Sequence, residues 1–343
     1  VGSSWTAQGV ARLAGVEVEP LPVPIPPSSW LVSFAANQAG LKAEVQGNLP
    51  GRDRVVTAKV AQSFWRGEGS MRVALGPLQF DSELNSLRKM LPGLPGSLDL
   101  TAGRLTASTE VAWTPSRSKD STAVDFQSEL IKVQADQLSA TIPGTVVEGI
   151  STALNIDVEK FERVRLTQPA LINVAAVQTG VLLTNVAVTA ELKWRLSDPW
   201  PVIELKDFHG NLFGVSVTSP GLQLDPSKPA HRLMLSLRRI DLAKILSLEQ
   251  QKGLQGTGLL SGTIPVAVTA KGVSVKDGTV EAEAPGGVIR YQPSQESATL
   301  LNDADSSVKL VAQALSNFQY TLLRAGVQYA EDGVLQLAAQ LEG

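Results

Sequence analysis

Apolar and polar residues alternate along most of this chain. The clearest example runs from Val186 to Leu196, where the even-numbered residues are apolar and most of the odd-numbered ones are polar. A period of two residues puts one apolar and one wet face on a strand, as in a half-exposed antiparallel sheet. The same alternation occurs at 233–237 and 335–341.

The order of strand, turn and strand is kept almost throughout the chain. It predicts a mainly β fold: a long, twisted antiparallel meander of about twenty strands. Strands lie about 4.8 Å apart, so a single sheet of that size would extend roughly 95 Å. Such a sheet must twist, curl or close, and the pattern leaves a sandwich, a barrel and a sheltered groove equally open.

A period of 3.6 residues replaces the alternation in a few places and predicts three or four short helices. Apolar residues at helical spacing place them at 81–91, from Pro143 to Leu154, at 241–249 and at 303–317. Turns of hairpins are expected at Ala102–Gly103 and at 276–278, each of which contains a glycine.

Two regions divide the chain in this interpretation. Residues 1–138 form one β segment, which includes a proline-rich stretch at 19–27, and residues 139–343 form a second segment continuous with the first. Prolines at that density enforce an extended conformation without a regular ladder, and predict a linker, a crossover or a docking strip for a partner.

Composition excludes several classes of function. The net charge is −3 and the basic residues are scattered, which argues against nucleic-acid binding. The absence of cysteine excludes disulfides, thiolate metal sites and a cysteine nucleophile. No apolar run reaches the roughly 20 residues of a membrane-spanning helix. Because the first residue is Val1, we interpret the chain as a fragment of a longer protein.

The chain carries little that predicts catalysis. Asp207 and His209 are at strand spacing, Glu281 and Glu283 share one strand face, and the glycines at 253–258 lack the Lys-Ser/Thr of a phosphate-binding loop. Each pattern is more typical of a solvated strand or a turn than of a reacting group. We therefore predict a protein that is not an enzyme, with no metal and no cofactor, whose function lies in an apolar surface.

Several segments resemble the YdbH family of AsmA-like proteins from Gram-negative bacteria. The resemblance is strongest in IDLAKIL (240–246), GLQGTGLLSGTIP (253–265), VKDGTV (275–280) and APGGVIRY (284–291). TGVLLTNV (179–186) and LSNFQY (315–320) extend it, and LDLTAGRLTA (98–107) matches more loosely.

The resemblance implies a periplasmic protein anchored in the inner membrane by a segment that precedes this chain. It implies a sheet curled into a U-shaped hydrophobic groove, of the β-taco kind, that conducts phospholipids between the inner and outer membranes. It also implies a partner, a small outer-membrane lipoprotein of the YnbE type, that binds by strand addition near the C-terminus. The alternative is a structural scaffold for outer-membrane biogenesis with a closed apolar core.

Candidate residues follow from combining this function with the alternation. Residues expected to line the lipid groove are the apolar members of three strands: Val186, Val188, Ala190, Leu192, Trp194, Leu233, Leu235, Leu237, Val266 and Val268. Residues of the last strand are expected to receive the partner strand: Val334, Leu335, Leu337, Ala339 and Leu341.

Overall fold

The computed structural model describes residues 4–16, 28–49, 52–90, 98–115, 124–126, 129–159, 162–179, 181–212, 214–248, 253–269, 272–292, 310 and 313–343. Most of these residues lie in strands, and nineteen of the strands belong to one sheet. The strand pairs are antiparallel, as in β3 with β4 (Gly40–Leu49 and Arg52–Ser63). The predicted mainly β fold with few short helices is confirmed.

The bounds of the described elements are as follows. The strands are β1 Thr6–Val16, β2 Ser28–Asn37, β3 Gly40–Leu49, β4 Arg52–Ser63, β5 Gly69–Asp81, β6 Asp99–Pro115, β7 Val124–Phe126, β8 Glu129–Ile142, β9 Thr145–Glu159, β10 Arg163–Leu166, β11 Ala170–Gln178, β12 Leu182–Arg195, β13 Val202–Leu212, β14 Val215–Leu224, β15 Ala230–Asp241, β16 Leu254–Thr257, β17 Leu259–Thr269, β18 Gly272–Ala282, β19 Gly287–Tyr291, β20 Phe318–Tyr320, β21 Leu322–Tyr329 and β22 Leu335–Glu342. The α-helices are α1 Leu87–Met90 and α2 Leu242–Leu248, and a short 3-10 helix spans Leu315–Asn317.

Short hairpins produce the meander. Between β2 and β3 the side chain of Asn37 accepts hydrogen bonds from the backbone N–H groups of Ala39 (2.9 Å) and Gly40 (3.2 Å). An asparagine that caps its own turn in this way closes a tight connection, so the next strand returns antiparallel. Strands β16, β19 and β20 form a separate small sheet.

The chain divides into two compact units. The first comprises Val1–Val177, Ala187–Leu205 and Gln223–Ser227. Its buried core contains Val55, Leu78, Phe80, Ala135 and Leu138, and Leu87 and Met90 of α1 pack against it. The predicted boundary between residues 138 and 139 stays a prediction.

The second unit comprises Gln178–Val186, Lys206–Leu222 and Lys228–Gly343. Its core is larger and gathers residues from the main sheet, from α2 and from the small sheet. Val217 and Tyr320 are its most deeply buried side chains.

Two of the predicted helices are present. In α2 the Asp241 carboxylate accepts a hydrogen bond from the Ala243 N–H (3.0 Å), as an N-cap residue does. Before α1 the Asp81 carboxylate accepts one from the Leu84 N–H (2.6 Å) and caps a turn, and the helix itself is shorter than predicted. The Leu84 hydrogen bond, with help from Asn85, lowers the pKa of Asp81.

The predicted helix from Pro143 to Leu154 is wrong. These residues form a tight turn and then β9, which pairs with β8 from Ile142 opposite Thr145 onward. Thr145, Val146 and Val147 are β-branched, and their preference for strands outweighs the helical spacing. Most of the predicted helix at 303–317 and the proline-rich stretch at 19–27 lie outside the described residues.

The two predicted hairpin turns are also wrong, because each position lies inside one continuous strand, beside a shift of register. Gly103 (φ +92°) lies inside β6, and Asp277 (φ +58°) lies inside β18. The register of β18 shifts at Asp277 against both of its neighbours, β17 and β21. A bulge uses the same turn-forming residues as a hairpin but lets the strand continue.

Candidate functional site

Apolar residues of the first unit line up across its strands. Residues directly opposite each other in an antiparallel pair point to the same face. The registers connect a row over nine strands, which we call the middle row: Ala11, Val32, Val45, Ala58, Val73, Thr109, Ile131, Ile156 and Leu166. At about 4.8 Å per strand, the row is roughly 38 Å long.

Two more rows flank the middle row on the same face, which we call the first apolar face. The inner row contains Leu13, Trp30, Gly47, Val56, Leu75, Ala107, Val133 and Leu154. The outer row contains Gly9, Phe34, Ala43, Val60, Met71 and Val111. Thr109 is the single polar residue among those named in the three rows, and on β8 the outer row continues at Glu129, opposite Val158.

The opposite face of the same strands is polar. Ser33, Glu44, Lys59, Arg72 and Glu110 follow one another across β2 to β6. Arg72 and Glu110 form an exposed ion pair at 2.8 Å. The sheet of the first unit thus separates an aliphatic face from a charged one.

Large aromatic rings on the first apolar face lie over glycines of the neighbouring strand. Trp30 covers Gly47, Trp113 covers Gly69 and Phe34 covers Gly9, so a Cβ atom at any of the three glycines would collide with the ring. Each ring occupies the space that a side chain at the glycine would otherwise fill. These aromatic residues therefore extend the smooth wall made by valine, leucine and alanine.

Apolar rows cross the second unit in the same way. One row joins Leu233, Val266, Val275, Tyr329 and Leu335. Another joins Val217, Leu237, Gly262, Val280, Ala325 and Ala339. We call this surface the second apolar face, and it brings predicted groove residues of β15 and β17 onto one side with predicted partner residues of β22.

Helix α2 and the small sheet cover part of the second apolar face. Leu242 and Leu246 of α2 pack over Gly256, and the Tyr320 hydroxyl donates a hydrogen bond to the Thr257 carbonyl (2.8 Å). Burial raises the pKa of Tyr320. Leu235, Leu237 and Val266 consequently lie in a closed core, whereas Leu233 and Val268 are half-buried at its margin.

Strand β12 carries the remaining groove candidates. Val186 belongs to the second unit, and Val188, Ala190, Leu192 and Trp194 belong to the first. Val186, Val188 and Ala190 are buried, and Trp194 is half-buried. Trp194 lies opposite Val164, which lies opposite Val158, so the row belongs to the first apolar face. The Trp194 indole also donates a hydrogen bond to the Asp198 carbonyl (3.1 Å).

The family model described as YdbH-like, intermembrane phospholipid transport protein YdbH, matches residues 5–343. The chain belongs to the YdbH-like family. The match includes residues 5–138, where the resemblance of individual segments is looser. No curated protein and no solved structure matches this chain. Transport of phospholipids between two membranes is thus its function at the level of the family, and it implies a periplasmic location.

The last strand of the YdbH-like chain lies at an edge. Among the described strands, β22 has a register only with β21, from Leu322 opposite Glu342 to Tyr329 opposite Leu335. Val334, Leu335, Leu337 and Ala339 are exposed, Leu337 by 55%, and Leu341 is half-buried. A strand paired on one side offers its other backbone groups to an added strand.

The charged candidates of the YdbH-like chain are engaged in local pairs. Glu281 bonds to Arg324 at 2.6 Å. Glu283 accepts hydrogen bonds from Ser261 and Arg239, and the exposed His209 ring contacts the Asp207 carbonyl (2.6 Å). The described part of the chain contains no group of three potential metal ligands. These contacts are those of a solvated strand face.

Pockets in the YdbH-like chain are shallow and open. One of about 500 Å³ lies against polar-face residues such as Lys42, Lys59 and Arg72, and one of about 350 Å³ lies beside α2. Among the helices that the structure describes, none has the length and apolar character needed to cross a membrane.

One signal in the sequence would have located the bulges. In β18 the apolar residues change from odd positions (Val273, Val275) to even ones (Val280, Ala282). A change of phase in the alternation means that one residue has been added to the strand. The same change occurs in β5, β8 and β15.

Proposed function

We propose that this YdbH-like chain conducts phospholipids between the inner and outer membranes by holding their acyl chains against the apolar faces of its sheet. The middle row carries the proposal, because it presents apolar side chains on eight of nine consecutive strands. Shielding an acyl chain from water stabilises it by about 0.8 kcal/mol per CH₂. A row of that kind supplies this stabilisation at each strand along the path.

The chemistry of the wall favours movement over retention. Its side chains are mostly aliphatic, and no set of polar groups converges on the named residues of the rows, so a lipid has no fixed contact to break as it advances. We propose that the sheet curls around this path as a U-shaped groove open to water along one side. Passive conduction of this kind needs no reacting group.

A charge placed in the middle row tests the proposal. Val73→Arg introduces a guanidinium among the acyl chains, and Ala74→Arg introduces the same group one residue away on the polar face. We expect Val73→Arg to abolish lipid transfer and Ala74→Arg to leave it near the parent rate. Transfer is measured as exchange of labelled phospholipid between the two membranes of cells that carry the full-length protein.

Circular dichroism and expression level establish that both variants fold. Parent-like transfer by a folded Val73→Arg protein would contradict conduction along this face. Equal loss in both variants would place the path elsewhere.

We also propose an arrangement between the membranes. The N-terminal side is anchored to the inner membrane, and β22 receives a strand from a small outer-membrane lipoprotein of the YnbE type. The exposed edge of β22 supports this proposal. A photo-crosslinking amino acid at Leu337 should capture the lipoprotein, and one at Val10 on β1 should not. Capture confined to positions within residues 1–100 would refute it.

A second candidate function rests on the closed core of the second unit. Tyr320 is 2% exposed and Val217 is fully buried, as expected of a scaffold whose apolar face is covered. A scaffold binds no lipid. Mass spectrometry of the protein purified in mild detergent would show co-purifying phospholipid for a conduit and none for a scaffold.

A further inference from the structure

The first apolar face changes in character along its strands. Beyond the inner row lies the buried core of the first unit, against which Val56 and Leu75 pack. Side chains of the middle row are half-buried where the structure describes their burial, with Ala11 on β1 exposed. In the outer row Phe34 is exposed and Val111 is buried. Half-burial prevails in the three rows, so the contrast lies at the two ends of the strands: a buried core beyond the inner row, and the exposed hairpin that joins β4 to β5.

A fourth row, which we call the rim row, completes this sequence. It contains Ala7, Ala36, Leu41, Gln62, Gly69, Trp113 and Phe126. The Trp113 indole N–H donates to the Gln62 side-chain oxygen (2.7 Å), and the Gln62 amide donates to the Ser63 carbonyl (3.1 Å). Trp113 and Phe126 meet edge to face, with ring centroids 6.4 Å apart.

The turn next to the rim row is aromatic and exposed. Phe64 and Trp65 occupy the turn between β4 and β5, and Trp65 is 81% exposed. Rings that combine a hydrocarbon body with a polar N–H concentrate where hydrocarbon meets water, as at the headgroup level of a bilayer. The rim row and this turn therefore have the composition of a lipid–water boundary.

The inner row has the opposite character. Its one side-chain polar atom is the Trp30 indole nitrogen, which donates to the Ser28 hydroxyl (2.7 Å). A phosphate placed there would lose its hydration without a partner, at a cost of several kcal/mol. The ends of acyl chains have no polar group, so they would incur no such desolvation cost.

From this contrast in side-chain chemistry between the rim row and the inner row, we infer that a phospholipid lies along the strands of the first unit, with its glycerol–phosphate group at the rim row and its chain ends at the inner row. The inference rests on the proposed conduction of phospholipids and adds the orientation of the cargo. It assigns Gln62 and Trp113 to the headgroup level. It assigns Leu75 and Ala107 to the level of the terminal methyl groups.

The absence of cysteine from the chain allows a direct test. Ala43→Cys lies in the outer row and Ala107→Cys in the inner row, about 13 Å apart along the strand direction at four residues of rise. Ala74→Cys, on the polar face, is the matched control. Each cysteine is introduced singly into a full-length protein that contains no other cysteine, and it is then labelled with bimane. The labelled protein is loaded with phosphatidylcholine that carries a nitroxide either on the headgroup or at the end of an acyl chain.

We expect the headgroup nitroxide to quench bimane more strongly at residue 43, and the chain-end nitroxide to quench it more strongly at residue 107. The reverse order, or equal quenching by both lipids, would overturn the orientation and leave conduction standing. Quenching at residues 43 and 107 no greater than at residue 74 would overturn both the orientation and the proposed function. Circular dichroism of the labelled proteins confirms that each is folded.

Discussion

Thr109 is the residue that departs most clearly from its surroundings. It stands in the middle row between Val73 and Ile131, and its hydroxyl oxygen is buried without a hydrogen-bond partner among the described residues. Leaving a buried hydroxyl unsatisfied costs about 1–3 kcal/mol. Most of the other side chains in the rows are hydrocarbon. The Thr109 hydroxyl therefore lowers the stability of the fold, and an apolar residue of the same shape would remove this cost.

Thr109→Val is therefore expected to raise the free energy of unfolding by about 1 kcal/mol, because valine fills the same volume without a polar atom. Thr57→Val, on the polar face of β4, is the matched control and should not stabilise the protein. Urea unfolding followed by circular dichroism measures both. A destabilised Thr109→Val protein would mean that the hydroxyl makes a bond in solution.

At the scale of elements, burial differs sharply between strands that share the second apolar face. Val266 on β17 lies in the closed core, and Leu337 on β22 is exposed at the edge. The alternation of the sequence marked both as members of an apolar face. It could not mark which of them is covered, because the cover is built from distant segments, α2 and the small sheet.

Substitution by lysine distinguishes the covered part of this face from the exposed part. Val266→Lys should lower the free energy of unfolding by about 3–5 kcal/mol, since it leaves a buried charge uncompensated. Leu337→Lys should change it by less than about 0.5 kcal/mol, as for other surface positions. Thermal unfolding of the two variants distinguishes them, and a strongly destabilised Leu337→Lys protein would show that β22 is covered in solution.

Element type was predictable wherever the alternation was long, as in β12, and wherever a cap preceded helical spacing, as at Asp241. The prediction was wrong where two local preferences competed. Thr145 to Leu154 combines helical spacing with β-branched residues, and the pairing with β8 decided the outcome. Gly103 and Asp277 have the turn-forming conformation inside a strand that continues, and whether a strand continues depends on the pairing of the residues that follow.

At the scale of the whole molecule, the strands of the first unit carry opposite chemistry on their two faces, and the described residues contain no group of three potential metal ligands. The groove candidates of β15 and β17, with Leu335 and Ala339 of β22, lie on the second apolar face, and Trp194 lies on the first. Val334 precedes β22. Contact of the groove candidates with lipid stays a prediction. The rim row was not predictable, because Gln62, Gly69, Trp113 and Phe126 are distant in sequence and meet only through strand register. Register depends on turn lengths, which periodicity alone does not supply.

If lipid is conducted only through contact with the apolar rows, the polar candidates His209 and Glu283 should not be needed for transfer. His209→Asn combined with Glu283→Gln removes a titratable ring and a carboxylate while keeping hydrogen-bonding side chains of similar size. We expect lipid transfer to stay within the experimental error of the parent, because neither residue is in an apolar row. The same cellular exchange assay checks this, and a loss of transfer without loss of folding would point to a chemical role.

The bulges in β5, β8, β15 and β18 have a consequence for how sequence length can vary in this family. Each adds one residue to a strand, and in β18 removal of Asp277 would restore plain pairing with both neighbours. A one-residue gain or loss within a regularly paired stretch would turn every following side chain of that strand to the wrong face. Natural relatives are therefore expected to differ by single residues at these positions and to keep a constant number of residues between them. The bulges are thus the positions where a one-residue insertion or deletion leaves the apolar and polar faces of the strand unchanged.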